Sequence, residues 1–278
     1  MRFSSLVAGC MMMATLAAHA GDEVSRPVSS SYMVELGTSH IADTYLTPLH
    51  YSGWHAALSY QRFQSMKFDP ANWVMNLEGR MSVDRALNPA RNAAMWNLDV
   101  EARWSMLRRW SVVDRLTLAI GPMTGARGGA MYLARNGNNP VAAKAAWELG
   151  AKGVATYKMR IGRLPVTFGY QGSLPVTGVF FSPNYGELYY EIYLGNTSGL
   201  THVAWPGNYF RLDNLATADL NFGGTTLRLG YRCDILSTKA NDIVSRNISH
   251  AFVIGVTTDW LSIDRRRPMP KNTVEPLF

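Results

Sequence analysis

The chain has 278 residues, 47% of them hydrophobic, 11% aromatic and 17% charged, against roughly 25% charged in an average soluble domain. That apolar content excludes a disordered chain. The lack of a run of about 20 apolar residues beyond the first twenty excludes membrane helices, and two cysteines exclude a disulfide framework or a thiolate zinc site. The formal net charge is +7, but the basic residues form one block only, Arg265-Arg266-Arg267, so no nucleic-acid partner is expected.

Residues 1–20 read as a secretory signal peptide. Arg2 supplies the positive start, residues 6–18 the apolar segment, and Ala18-His19-Ala20 the cleavage site, so the mature chain is expected to begin at Gly21. A competing reading takes residues 7–10 as a lipobox that lipidates Cys10. Against it, only six residues precede that segment and the apolar run continues past it.

From there on, apolar and polar residues alternate. The pattern is weak over 32–38 and 54–62 and strict over 73–83, where Trp73, Met75, Leu77, Met81 and Val83 interleave with Asn76, Glu78, Arg80 and Ser82. It is strict again over 96–106, with Asp99, Glu101 and Arg103 between apolar residues, and over 147–161, with Glu148, Lys152, Lys158 and Arg160. Further copies lie at 116–123, 164–170, 215–222, 226–233 and 248–260. Successive side chains of a strand point to opposite faces, so each segment has an apolar face and a polar one. A helix needs apolar residues three and four apart, which these segments lack.

Ten such segments, several of ten residues or more, suit membrane strands of about 9–11 residues better than soluble strands of about 5–6. Trp54, Trp73, Trp96, Trp104 and Tyr157 suit interfacial girdles. The links add a parity argument. Short links at 107–115, Gly162-Arg163 and Gly223-Gly224 fall on one side, and long links at 39–53, 124–144, 178–214 and 234–247 on the other. The fold expected is all-β: a single antiparallel transmembrane β-barrel of ten strands over residues 21–261, with a basic periplasmic tail at 262–278. Twelve strands is the alternative, with an added pair inside 187–205. Charges of both signs (Glu78, Arg80, Asp99, Glu101, Arg103, Glu148, Lys152, Lys158, Arg160, Asp219, Arg228 and Arg232) are expected to fill the lumen. The apolar positions Met75, Leu98, Leu149 and Leu229 are expected to face lipid.

No G-x-G-x-x-G opening a helix, G-x-x-x-x-G-K, G-x-S-x-G or H-E-x-x-H is present. No cofactor and no metal site are expected. Histidines are the remaining route to catalysis. His40, His50 and His202 map to external loops, and His55 and His250 to the outer strand ends. Asp43, Asp213, Asp234 and Asp242 lie on the same side. One reading is a site at the barrel mouth with His202 as base and Ser182 as nucleophile, or one built on His40 or His250. It requires base and nucleophile within hydrogen-bond reach. The other reading gives these histidines only local hydrogen bonds. Tyr185, Tyr189, Tyr190, Tyr193 and Trp205 form a candidate binding surface, and interfacial packing explains them equally well.

Residues 182–193 (SPNYGELYYEIY), Leu194-Gly195-Asn196, residues 226–231 (TLRLGY) and residues 250–255 (HAFVIG) resemble a family of secreted proteins of the Bacteroidota, domain of unknown function 3316. The resemblance implies an envelope location and carries no catalytic role to any residue. Three functions follow as expectations: a plugged structural or binding barrel that presents 178–214 outward, an outer-membrane enzyme hydrolysing lipid or peptide at its mouth, or a narrow channel. Outer-membrane lipid is the expected partner, with glycan, lipid or peptide as alternatives at the external loops.

Overall fold

The computed structural model describes residues 26–260 apart from 224, together with 274 and 277. The expected signal peptide, Cys10 and nearly all of the expected basic tail lie outside the described residues. The strands are β1 (Val28–Asp43), β2 (Thr47–Ser65), β3 (Trp73–Leu87), β4 (Ala94–Val113), β5 (Leu116–Leu133), β6 (Val141–Ile161) and β7 (Leu164–Phe181). A one-turn helix α1 (Tyr189–Tyr193) and a short strand β8 (Thr201–Ala204) follow. Then come β9 (Tyr209–Asn221), β10 (Thr226–Ala240) and β11 (Ile243–Trp260).

Neighbouring strands pair antiparallel, β7 pairs with β9, and β1 pairs with β11 along all its length, from Val28 against Trp260 to Asp43 against Ser245. The result is a closed ring of ten strands, and β8 is an appendage paired with Gly178–Phe181 at the end of β7. The ten-strand expectation stands and the twelve-strand alternative does not. Within 187–205 the chain reaches only α1 and β8, because Gly195 and Gly199 take positive φ (107° and 74°) and break any strand there, with Gly186 (81°) just before.

Each end of the barrel carries one set of turns. We call the end with the chain termini the base and the opposite end the mouth. The loop-length parity expected from the sequence needs correction. At the mouth, 44–46, 88–93, 134–140 and the two-residue turn Asn241-Asp242 are short, and only 182–208 is long. At the base, 66–72 is as long as 134–140. The supposed long links 39–53, 124–144 and 234–247 are mostly strand. The ten ring strands run 13 to 21 residues, beyond the 9–11 that a bilayer needs. Above the apolar band the outward face becomes polar, so alternation fades there while pairing continues.

Burial follows the parity read from the sequence. Leu98 and Leu229 are exposed and Met75 and Leu149 half-exposed, while Arg80, Glu101 and Arg228 are buried. Lys158 and Arg160 share the lumenal parity but are exposed at the base rim. All ten ring strands expose large apolar side chains, up to 74% for Phe252, 62% for Leu58 and 61% for Leu36. Soluble monomers rarely carry apolar patches beyond a few hundred Å²; here the apolar belt runs round the whole ring. Trp54, Arg85, Trp96 and Tyr132 form one cross-strand row near the mouth, with Trp54 edge-on to Trp96 and Arg85 over the Trp96 ring. That row suits a membrane interface, where aromatic rings have one wet edge.

The lumen is layered. A mouth layer packs Ile41, Tyr51, Met95, Met131 and Ile243 with Tyr45 and Leu46 of the first turn. A base layer packs Phe63, Val74, Leu107, Ala119 and Val154 against Leu277. Charged side chains lie between them.

Candidate functional site

The middle of the lumen holds a closed ring of alternating charges. Arg80 Nη1 meets Asp234 Oδ2 at 3.2 Å, and that oxygen takes Arg211 Nη2 at 2.9 Å. Arg211 reaches Glu101 at 2.6 Å, Glu101 bonds Arg103 at 2.9 Å, and Arg103 bonds Asp213 at 2.5 Å. Asp213 bonds Arg232 at 2.5 Å, Arg232 bonds Glu35 at 3.0 Å, and Glu35 returns to Arg80 at 2.8 Å. Four guanidinium groups thus face four carboxylates. The members come from β1, β3 and β4 on one wall and β9 and β10 on the opposite wall, so the ring crosses the lumen.

Other pairs extend it. Lys152 and Arg232 both hold Glu78, Arg228 grips Asp219 with two bonds at 2.7 Å, and Arg127 holds Asp99 at 2.5 Å. Tyr209 donates a short hydrogen bond to Glu148. Gln61 and Gln171 exchange amide hydrogen bonds at 3.1 and 3.2 Å. A cavity of about 10 Å³ beside His55, Arg80 and Asp99 and one of about 30 Å³ beside Arg127, Lys144 and Tyr209 interrupt this packing. Each has room for about one or two waters.

His55 sits at the mouth side of the ring, 3% exposed. Its Nδ1 lies 2.6 Å from Asp84 Oδ1 and its Nε2 3.1 Å from Arg80 Nη2. A guanidinium only donates, so Nε2 accepts and Nδ1–H donates to Asp84. Asn97 holds the other Asp84 oxygen at 2.8 Å. A general base needs an open nitrogen, and the Arg80 contact occupies Nε2.

The histidines singled out in the sequence lie apart. His40 Nδ1 is 2.8 Å from Ser52 Oγ on the outer surface, and His250 Nδ1 is 2.6 Å from the Tyr231 hydroxyl, also outside. His50 is exposed in β2. His202 Nε2 lies 3.2 Å from the Asn241 amide and 3.4 Å from the backbone carbonyl of Ser182, while Ser182 Oγ donates to the Pro183 carbonyl. His202 and Ser182 are therefore neighbours through the backbone. Asp213 and Asp234, expected on the external side, belong to the lumenal ring.

The long 182–208 segment folds over the mouth. Asn241 Nδ2 reaches the carbonyls of Ser182, Pro183 and Gly199 at 3.0–3.3 Å. Tyr45 donates to the Glu187 carbonyl at 2.6 Å, and the Ala143 amide donates to the Tyr189 hydroxyl at 2.6 Å. Glu187 is buried and takes the Asn184 backbone amide and the Asn196 side chain. Burial, with Tyr189, Glu187 and Asp43 nearby, pushes the Tyr45 phenol up. Tyr189 packs inward on the mouth layer, whereas Tyr185, Tyr190, Tyr193 and Trp205 are exposed, Tyr193 at 83%.

A family described as "Protein of unknown function (DUF3316)" matches residues 5–267. The chain belongs to that family. No curated protein sequence matches this DUF3316 member. Solved structures similar to it include the outer membrane protease OmpT from Escherichia coli, at 8% identity and TM-score 0.45, covering 88% of this chain and 99% of that one. The translocator domain of the autotransporter NalP from Neisseria meningitidis matches at 10% identity and TM-score 0.40, covering 85% and 88%. A FadL homologue from Pseudomonas aeruginosa matches at 9% identity and TM-score 0.30, covering 85% and 90%.

Sequence reasoning found Arg80, Glu101, Arg103 and Arg232 but missed Glu35, His55, Asp84, Arg127 and Arg211 as lumenal. The signal was parity. Glu35 is flanked by Val34 and Leu36, and His55 stands two and four residues from Ala57 and Ser59, on the same inward face.

Proposed function

We propose that this protein is an outer-membrane barrel closed by its own side chains, and that its activity is one of binding at the mouth, carried chiefly by the 182–208 segment. It reaches the membrane by export on the signal peptide 1–20. The observation that carries the reading is the closed charge ring. Eight side chains from opposite walls, each of Arg80, Arg103, Arg211 and Arg232 bonded to at least two carboxylates, use the space a conducting path needs. Barrels of about 8 strands are filled by side chains and 16–18 leave a channel; ten strands stand near the filled limit. The apolar exterior supports the membrane, since lipid covers such a face and the charged face turns inward. The hydrolase reading has less support, because Ser182 Oγ and His202 Nε2 each face a different partner.

Presentation of the loop is testable in intact cells. In a Cys233→Ser background, Tyr193→Cys should react with a membrane-impermeant maleimide. A cysteine at Phe222, in the opposite set of turns, should react only after lysis. Labelling of the second but not the first reverses the orientation, and recovery of both from the soluble periplasmic fraction removes the membrane reading altogether.

A further inference from the structure

A cleft of about 350 Å³ opens at the mouth beside the long loop, walled by the turns 44–46, 88–93 and 134–140. Its volume lies in the range of about 300–1,000 Å³ typical of small-molecule sites. Its walls divide by chemistry. Leu46, Leu133 and the Tyr51 ring give an apolar side, and Asn92, Asn136 and Arg135 give a polar one.

The polar side is built rather than accidental. Asn88 Oδ1 accepts the backbone amides of Asn92 and Ala93 at 3.0 and 3.2 Å, and its amide donates to Asn92 Oδ1 at 2.8 Å. That fixes Asn92, whose Oδ1 also takes Arg135 Nη1 at 2.8 Å. Arg135 is exposed, and this is its one hydrogen bond among the described residues, with no carboxylate in ion-pair range there. Four of its five N–H donors remain for a ligand. Tyr51 is 2% exposed, and its hydroxyl has no hydrogen-bond partner among the described residues. The hydroxyl is not sealed off from solvent, and the cleft, which Tyr51 lines, is where a ligand would pair with it. No Asp or Glu lines the cleft.

We infer that this cleft binds an acidic sugar. The carboxylate meets Arg135, ring hydroxyls meet Asn92, Asn136 and Tyr51, and the C–H face of the ring lies on Leu46 and Leu133. A bare anion leaves the apolar wall uncovered. A fatty carboxylate offers no partner to the Asn92 amide nitrogen or the Tyr51 hydroxyl, whereas a sugar hydroxyl does. The cleft borders the mouth layer and shares no side chain with the charge ring, so this inference stands whether or not the lumen conducts.

The test uses the full exported chain refolded in detergent micelles, titrated by calorimetry with sodium glucuronate, glucose and sodium acetate. Glucuronate should bind saturably, with glucose and acetate each at least about tenfold weaker. Arg135→Gln should bring glucuronate down to the level of glucose, and Tyr51→Phe should weaken both sugars severalfold. Heat-modifiability on gels verifies that both variants fold. Competition by a glucuronate oligomer assigns a polysaccharide source, and competition by a glucuronosyl lipid in the same micelles assigns a glycolipid; either supports the site. Absence of saturable glucuronate binding, equal binding of glucose or acetate, or an unchanged preference in Arg135→Gln overturns the inference.

Discussion

At the residue scale the lumen is governed by the cost of an unpaired buried charge. Arg232 is 2% exposed at its side chain and bonds Glu35, Glu78 and Asp213 at 2.5–3.0 Å. Removing one partner of a buried pair typically costs about 3–5 kcal/mol, because the other charge is stranded. Arg232→Gln should therefore lower the urea midpoint of the refolded barrel by a stability loss of that order. Arg228→Gln strands Asp219, which Arg228 grips with two bonds. It should cost a comparable amount, and adding Asp219→Asn should recover most of the loss. Recovery near zero in that double-mutant cycle argues against the pair. The next residue has the opposite orientation. Leu229 is 40% exposed on the belt, so Leu229→Arg should cost about 2–4 kcal/mol if it lies near the bilayer midplane and less toward an interface. Refolding into lipid vesicles checks it; wild-type behaviour there would mean that the belt does not face lipid.

At the element scale, strand identity was legible and strand ends were not. Alternation over 73–83 and 96–106 found β3 and β4, because an apolar outer face beside a charged inner one leaves a period of two. The first of them, β3, continues through Asp84, Arg85 and Ala86, where the outer face holds an arginine and the signal stops. The turn at Asn241-Asp242 was hidden for another reason. Both residues have positive φ, 50° and 60°, the type I′ geometry that Asn-Gly announces and Asn-Asp announces only weakly. Asn241 also ties down the long loop. Asn241→Ala should keep the barrel folded and speed limited proteolysis within 182–208, while Asn241→Gly should preserve the turn geometry and show the same loosening. Protection equal to wild type in both would remove Asn241 as the anchor. Gly37 marks a different constraint. A Cβ there would lie 1.8 Å from the His250 carbonyl oxygen, so Gly37→Val should abolish the heat-modifiable folded band on gels. The sequence could not show this, since the close approach of β1 to β11 joins residues more than 200 positions apart.

At the scale of the whole molecule, two apolar layers enclose a neutralised charge ring, and the outer face repeats the apolar belt. The sequence contained the inventory for this. Arg80, Glu101, Arg103 and Arg232 were readable as lumenal from their strands alone. What it lacked was the pairing across the barrel, which depends on shear and closure: Arg103 on β4 finds Asp213 on β9 only once the ring has closed. The mouth was less legible still. Ser182 and His202 look like partners in sequence, yet the Asn241 amide takes the histidine nitrogen. The central claim is that side chains close the lumen, and planar-bilayer recording of the refolded full-length protein tests it most directly. The account predicts no conductance steps above the bare-bilayer baseline for wild type. Discrete, reproducible wild-type channels would contradict it.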